Sequence, residues 1–299
     1  MSFLDRFVAT TLPFVPKYVV GKFAAKYIAG ETLNDAVAVV RSLNAEGFRA
    51  TIDVLGEFVD NQREAEQNAD NYLTLLEAIY RERLDSGVSV KLTAVGLSMD
   101  REFTKRNFGR VVKAATEQDI FVRIDMEDSP YTTDTLWVYR ELRAQHRLGI
   151  VVQAYLRRTE ADVRDLISSG EANFRLCKGI YRESESIAFQ GRAEIRENYL
   201  KLLRIMLESR CYVGIATHDE FLVDGAERMI LELSIDPSMY EFQMLLGVRH
   251  DLRDQIKSRG HKVRIYVPFG EAWYGYSTRR LKENPQIAGY VFKSLFRKL

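Results

Sequence analysis

Residues 88–129 read VSVKLTAVGLSMDREFTKRNFGRVVKAATEQDIFVRIDMEDS. The stretch opens and closes on β-branched runs, Val88–Ala94 and Ile120–Met126, with a charged segment of helical character between them. A strand, a helix and a second strand in this span predict a βαβ unit of a parallel sheet. The alternation continues in both directions. Further strand-like runs are Thr51–Leu55, Ile150–Tyr155, Asn173–Lys178, Tyr212–Thr217, Tyr240–Met244 and Val263–Val267, eight in all. Helical patterns rich in Leu, Glu, Arg and Ala fill the gaps, for example Arg63–Leu84, Asp134–His146 and Glu185–Glu208. Eight such strands at this length predict an α/β fold, a distorted (β/α)8 TIM-type barrel with additional N-terminal helices. A doubly wound open sheet is the alternative, and the absence of a Gly-rich fingerprint after the first strand weighs against it. Residues 1–45 are expected to form a helical segment packed on the barrel, and 46–299 the barrel with its C-terminal helix.

The 299 residues are 46% hydrophobic and 28% charged, ordinary for a globular enzyme. A formal net charge of +1 gives no electrostatic case for nucleic acid. Two cysteines, Cys177 and Cys211, make no disulfide framework and suit a reducing compartment. They are expected at opposite ends of adjacent strands, a poor geometry for a bridge. No run approaches the roughly 18 apolar residues of a membrane span, and no secretory signal is evident. Leu4–Ile28 and Ala288–Leu299 are basic and amphipathic. Such stripes mostly pack as caps on a core, and the sharper alternative is a membrane surface.

Chemistry in parallel barrels sits at the C-terminal strand ends. Alternation puts Ser89, Lys91 and Thr93 on one face of their strand and Val88, Val90 and Leu92 on the other. The apolar face must meet helices, so Lys91 points into the barrel. Asp125, sharing a face with Phe121 and Arg123 on the next strand, is its expected partner. Two such charges are a structural ion pair or a site. Gln153 ends the fourth strand. The fifth ends Arg175-Leu176-Cys177-Lys178-Gly179-Ile180-Tyr181, cations flanking a glycine that permits close backbone approach. Lys91 or Lys178 also suits a Schiff-base lyase. Among four histidines only His218, in Thr217-His218-Asp219-Glu220, falls at a strand end. No ligand set has zinc spacing. In the last helix, Tyr276, Arg279, Arg280 and Glu283 fall within an arc of about 100°. Paired arginines suit a carboxylate, while a solvated basic face explains the same pattern.

Taken together, these segments resemble the proline dehydrogenase family, over about Thr51 to Glu283. The matching stretches are VSVKLTAVG (88–96), VRIDMEDS (122–129), VVQAYLRRT (151–159), RLCKGIY (175–181), ATHDE (216–220), YEFQMLLGVR (240–249), RIYVPFGEAWYGY (264–276) and RRLKEN (279–284). The resemblance implies FAD at the barrel mouth with proline on one face of its isoalloxazine. It implies catalytic roles for Asp125 and Arg175, the first organising the charged groups and the second favouring the reduced flavin. Lys91, Arg279 and Arg280 would bind the proline carboxylate, and Leu176, Tyr181, Tyr266 and Tyr276 would wall the ring. Met126, Gln153, Arg175, Cys177, Lys178, Gly179, Ile180, Thr217, His218, Gln243 and Glu283 would contact FAD. Cys177 and Ile180 stand where the family commonly has Val and Ala, and Thr93 where Ser is common. Tyr266 is expected to favour proline over hydroxyproline.

The resemblance further implies a quinone as electron acceptor, Δ1-pyrroline-5-carboxylate as product, and a separate pyrroline-5-carboxylate dehydrogenase downstream, since no aldehyde dehydrogenase domain is present in the chain. It implies a cytoplasmic protein with peripheral contact at the inner face of the membrane. The competing readings are a flavin-free Schiff-base lyase and a non-catalytic module that binds an amino acid. Neither accounts for Arg279-Arg280 together with the Arg175–Tyr181 stretch.

Overall fold

The computed structural model describes residues 21, 26–144, 146–170, 172–274 and 277. Eight parallel strands close a barrel in chain order: β1 Arg49–Val54, β2 Ser86–Val90, β3 Val122–Ile124, β4 Leu148–Gln153, β5 Asn173–Cys177, β6 Tyr212–Ala216, β7 Tyr240–Leu245 and β8 Val263–Phe269. Helix α1 (Leu33–Ala45) precedes β1, and seven helices connect the strands: α2 Gln62–Arg81, α3 Arg101–Glu117, α4 Ser129–Arg143, α5 Thr159–Ser168, α6 Arg192–Glu208, α7 Glu220–Glu232 and α8 His250–Ser258. β1 seals the barrel against β8 in register from Arg49↔Arg264 to Val54↔Phe269. The expected barrel is therefore present. The proposed basic caps lie outside the described residues, apart from Gly21 and 26–28.

The strand period explains the layering. Ile52, Val88, Val90, Ile124, Phe174, Ile215 and Phe242 are fully buried on the outer face of the sheet, against Tyr72, Leu75, Phe108, Val111, Tyr199 and Leu202 of the helices. The alternate positions face inward and are largely polar: Thr51, Asp53, Ser89, Arg123, Gln153, Arg175, Glu241 and Gln243, all under a tenth exposed. A polar interior persists only if its groups bond one another. Two glycines make room for that. A Cβ at Gly149 would lie 2.3 Å from Nη1 of Arg123, and one at Gly214 2.4 Å from Nε2 of Gln243.

Element ends differ from the sequence reading in places. β2 stops at Val90, four residues short of the expected Ala94, because Leu92–Val95 coil into a 3-10 turn. Glu127 captures the Thr93 N–H at 3.0 Å and its hydroxyl at 2.5 Å, so that backbone leaves the sheet. β3 narrows to three residues. α6 begins at Arg192 rather than Glu185, with Gly191 as N-cap and its N–H donating to Glu194. The preceding Ala188 bridges to Leu156 instead.

Candidate active site

A cavity of about 750 Å³ opens at the C-terminal ends of the strands. At its floor Asp125 gathers three donors. Its Oδ1 accepts from Ser89 Oγ at 2.8 Å and from Arg175 Nη1 at 2.8 Å, and its Oδ2 accepts from Tyr266 Oη at 2.7 Å. Arg175 also donates through Nε to Gln243 Oε1 at 2.5 Å, and its guanidinium lies 5.2 Å from the Tyr266 ring centroid. β2, β5 and β8 therefore each send one side chain to Asp125, just past the end of β3, which only barrel closure allows.

Lys91 is inward, as expected, but its closest partner is not Asp125. Its Nζ is 2.7 Å from Asp53 Oδ2 and 3.9 Å from Asp125 Oδ2. Parallel register sets Asp53 of β1 beside Ser89 of β2, one step before Lys91, so the lysine reaches back to β1. Asp53 was missed, although the same alternation that turned Lys91 inward does so for Asp53. Burial works against the Lys91 ammonium, but Asp53 and then Asp125 more than offset it, and its pKa is held above the ordinary lysine value. Burial pushes the Asp53 carboxyl up, with Lys91 opposing. A Schiff-base amine needs the reverse, a lysine depressed toward neutrality, so the ion pair argues against a lyase that uses Lys91.

Higher in the cavity, Met126, Gln153, Cys177, Lys178, Gly179, Ile180 and Tyr181 all line the wall, as do Thr217 and His218. Gln153 donates to the Met126 carbonyl at 3.3 Å, while its buried Oε1 has no protein partner. Gly179 has φ +104°, and a Cβ there would come within 2.0 Å of the Tyr155 ring. His218 Nε2 accepts the Leu245 N–H at 2.9 Å, so that nitrogen carries no proton and the neutral ring keeps its proton on Nδ1. Burial pushes the Cys177 thiol up to about 11, which leaves it protonated and a poor nucleophile. Both cysteines are free. At the rim, Lys178 and Arg196 converge on Asp219 at 3.2 and 2.5 Å, with Arg192 at 3.7 Å. Arg192, Arg196 and Asp219 carried no site assignment from sequence, because their spacing in the chain is irregular.

One expected wall residue does not reach the cavity. Leu176 is fully buried in the core on the helix side of β5, with its carbonyl accepting from Tyr199. Strand alternation puts it opposite Arg175 and Cys177, so it cannot share their face. Tyr276, Arg279, Arg280 and Glu283 lie outside the described residues. No group of metal-ligating side chains occurs among the described residues.

Glu127 carries a consequence for stability. Burial pushes its carboxyl up to about 7, against the hydrogen bonds from Thr93. A folded value above the unfolded one means the folded state binds the extra proton between about pH 4.5 and 7. The stability it contributes is full below the unfolded value and is lost as pH rises through the folded one. Glu127→Gln removes that loss. Its thermal midpoint relative to the unsubstituted protein should climb between pH 5 and 8, by roughly 4 °C for about 2 kcal/mol. Parallel midpoints across that range would show that Glu127 titrates normally.

The proline dehydrogenase family model matches residues 36–292. The chain is 37% identical to proline dehydrogenase 2 of Bacillus subtilis (strain 168), over 92% of this chain and 91% of that protein. It is 34% identical to the proline dehydrogenase of Deinococcus radiodurans, over 92% and 90%. The crystal structure of proline utilization A from Bdellovibrio bacteriovorus inactivated by N-propargylglycine superposes with a TM-score of 0.82 at 26% identity, over 88% of this chain and 32% of that one. With the family model spanning the barrel, and relatives of matching length at 34% and 37% identity, the chain belongs to the proline dehydrogenase family.

Proposed function

We propose that the chain oxidises L-proline to Δ1-pyrroline-5-carboxylate at a bound FAD, as the first step of proline catabolism, and that a quinone takes the electrons. The observation that carries the reading is the Lys91–Asp125–Arg175–Tyr266 group at the floor of a cavity far larger than one amino acid fills. The cavity suits a flavin dinucleotide in three respects. Gln153 offers a buried acceptor without a protein donor, matching a ring N–H. Gly179 lines the cavity with backbone alone, packed directly against Tyr155. Lys178 and Arg192 put positive charge at the rim, where phosphates belong.

When bound, the flavin supplies the hydride acceptor at N5. The remaining work falls to the chain. A carboxylate taken out of water needs cations. Lys91 supplies one, and Arg279 and Arg280 are proposed to supply two more. Asp125 holds Arg175 and the Tyr266 hydroxyl in place, so Tyr266 forms a fixed wall for the pyrrolidine, and Tyr181, which also lines the cavity, is proposed as another. Tyr276 is proposed as a third wall and Glu283 as a further FAD contact. Arg175 places a fixed cation in the cavity, where it favours negative charge on a reduced ring. Orientation of this kind accounts for much of a rate enhancement.

Downstream, a pyrroline-5-carboxylate dehydrogenase is proposed to take the product; in support, the chain is 26% identical to part of a protein named as bifunctional, PutA of Escherichia coli (strain K12). No helix among the described residues is long and apolar enough to cross a membrane. A cytoplasmic location with peripheral contact at the inner face of the membrane, through the basic ends, completes the proposal.

The test is the visible spectrum of the purified protein before and after anaerobic L-proline. A flavin band that bleaches with L-proline, and more slowly with trans-4-hydroxy-L-proline, is the expected result. A flavin band indifferent to proline removes the substrate, faster bleaching by the hydroxylated ring reverses the specificity, and a protein that takes up no FAD removes the whole reading.

A further inference from the structure

Glu241 stands two residues below Gln243 on β7, is 1% exposed, and is not among the residues that line the cavity. Its Oε1 accepts from Gln243 Nε2 at 2.7 Å and from Arg264 Nε at 2.5 Å. Gln243 in turn presents Oε1 to Arg175 Nε at 2.5 Å, while Nη1 of the same arginine donates to Asp125 and Ser89. The Gln243 amide thus lies between two groups of opposite and fixed character. An ionised carboxylate only accepts and a guanidinium only donates. One of the two amide orientations satisfies both neighbours. The other sets NH2 against N–H and carbonyl against carboxylate, two repulsive contacts in a buried place. Glu241 stays ionised: burial opposes the charge, but Arg264 more than offsets it and holds the pKa below the ordinary value.

We propose that Glu241 is a positioning residue for proline oxidation: by fixing the orientation of the Gln243 amide, it fixes the guanidinium of Arg175 in the cavity. The inference rests on the reading that the cavity holds FAD and that Arg175 faces it. Arg264 is the useful comparison, since it pairs with the same carboxylate and donates to the Ala50 carbonyl at 2.6 Å, with no side-chain hydrogen bond to Gln243 or Arg175. If Glu241 acts only as a structural counter-charge, losing either partner has the same result.

The experiment compares Glu241→Gln, Arg264→Gln and the swap E241Q/Q243E as FAD-loaded proteins. It reads the two-electron reduction potential of the flavin, kcat and KM for proline, and the thermal midpoint. A glutamine at 241 presents either oxygen or NH2, so Gln243 is free to turn. E241Q should shift the reduction equilibrium about tenfold, or about 30 mV, and lower kcat about tenfold with KM within about twofold. R264Q should lower the thermal midpoint and, because Glu241 loses the cation that keeps it ionised, shift the potential in the same sense as E241Q but less. The swap restores an acceptor-only group beside Arg175 and should move kcat back toward the unsubstituted value, while the new carboxylate beside Arg175 keeps the potential low. E241Q and R264Q that lose only thermal stability, and to the same degree, would overturn the proposal. Should E241Q not accumulate as folded protein, the swap is compared with Q243E alone, where two carboxylates face each other. A swap about tenfold better in kcat supports the proposal, and equal rates overturn it. An unsubstituted protein that holds no flavin brings down the underlying reading and this inference with it. One that bleaches with proline beside an unchanged E241Q brings down this inference alone.

Discussion

Lys91→Met should lower kcat/KM for L-proline by roughly 10²–10³-fold, most of it through KM. The magnitude follows from where the ammonium sits. It is 8% exposed, with one carboxylate at 2.7 Å and another at 3.9 Å. Methionine keeps much of the volume and removes the charge. The substrate carboxylate then enters a site that still holds Asp53 and Asp125 and has lost one of its cations. The same substitution leaves Asp53 buried without a counter-charge, a defect on the order of 3–5 kcal/mol if it stays ionised. Burial already pushes the Asp53 carboxyl up, and losing Lys91 removes the opposing influence. Asp53 should therefore take up a proton in the variant. A group whose folded pKa is raised stabilises below its unfolded pKa and loses that contribution as pH rises. The thermal deficit of Lys91→Met should accordingly be small near pH 5 and large near pH 8. Steady-state kinetics and melts at the two pH values check both halves. A kcat/KM within threefold of the unsubstituted enzyme would place the carboxylate elsewhere, and a deficit independent of pH would mean Asp53 finds another partner.

Gly179→Ala should cost most of the bound flavin. The position has φ +104°, a region an L side chain enters only under strain, at about 1–3 kcal/mol. Space is the second obstacle. The new Cβ would meet Cδ1 of Tyr155 at 2.0 Å, and that ring is itself 5% exposed and held within the wall. Either the ring or the Lys178–Gly179 backbone must move, and Lys178 and Gly179 line the cavity. The expected outcome is FAD affinity lower by roughly 10²-fold, which corresponds to about 2.7 kcal/mol, with a thermal midpoint in the absence of FAD that falls by only a few degrees. Fluorescence titration of the flavin-free protein with FAD measures this. Unchanged affinity would move the cofactor to another wall.

Much of the fold was legible. Eight β-branched runs separated by helical patterns require parallel crossovers, and each run reappears as a strand of the barrel. Periodicity of two also turned Lys91, Asp125 and Gln153 inward correctly, because strand geometry alternates faces whatever the partners are. The same rule, applied without exception, would have recovered Asp53 and Glu241 and rejected Leu176 as a wall residue. Those errors arose where a motif was read as a block rather than position by position.

What the sequence by itself determined is the period, the polarity of each strand face and the family motifs. Those follow from local geometry and from residue identity alone. Which charges meet is another matter. Asp53 and Lys91 are 38 residues apart, and Arg175 and Gln243 are 68 apart. Their pairing depends on strand register and on the closure of β8 against β1. The early end of β2 depends likewise on Glu127 reaching a backbone N–H 34 residues earlier. Electrostatic and hydrogen-bond energies fall off with distance in space, not along the chain. The partners of a buried charge are therefore decided only when the barrel closes.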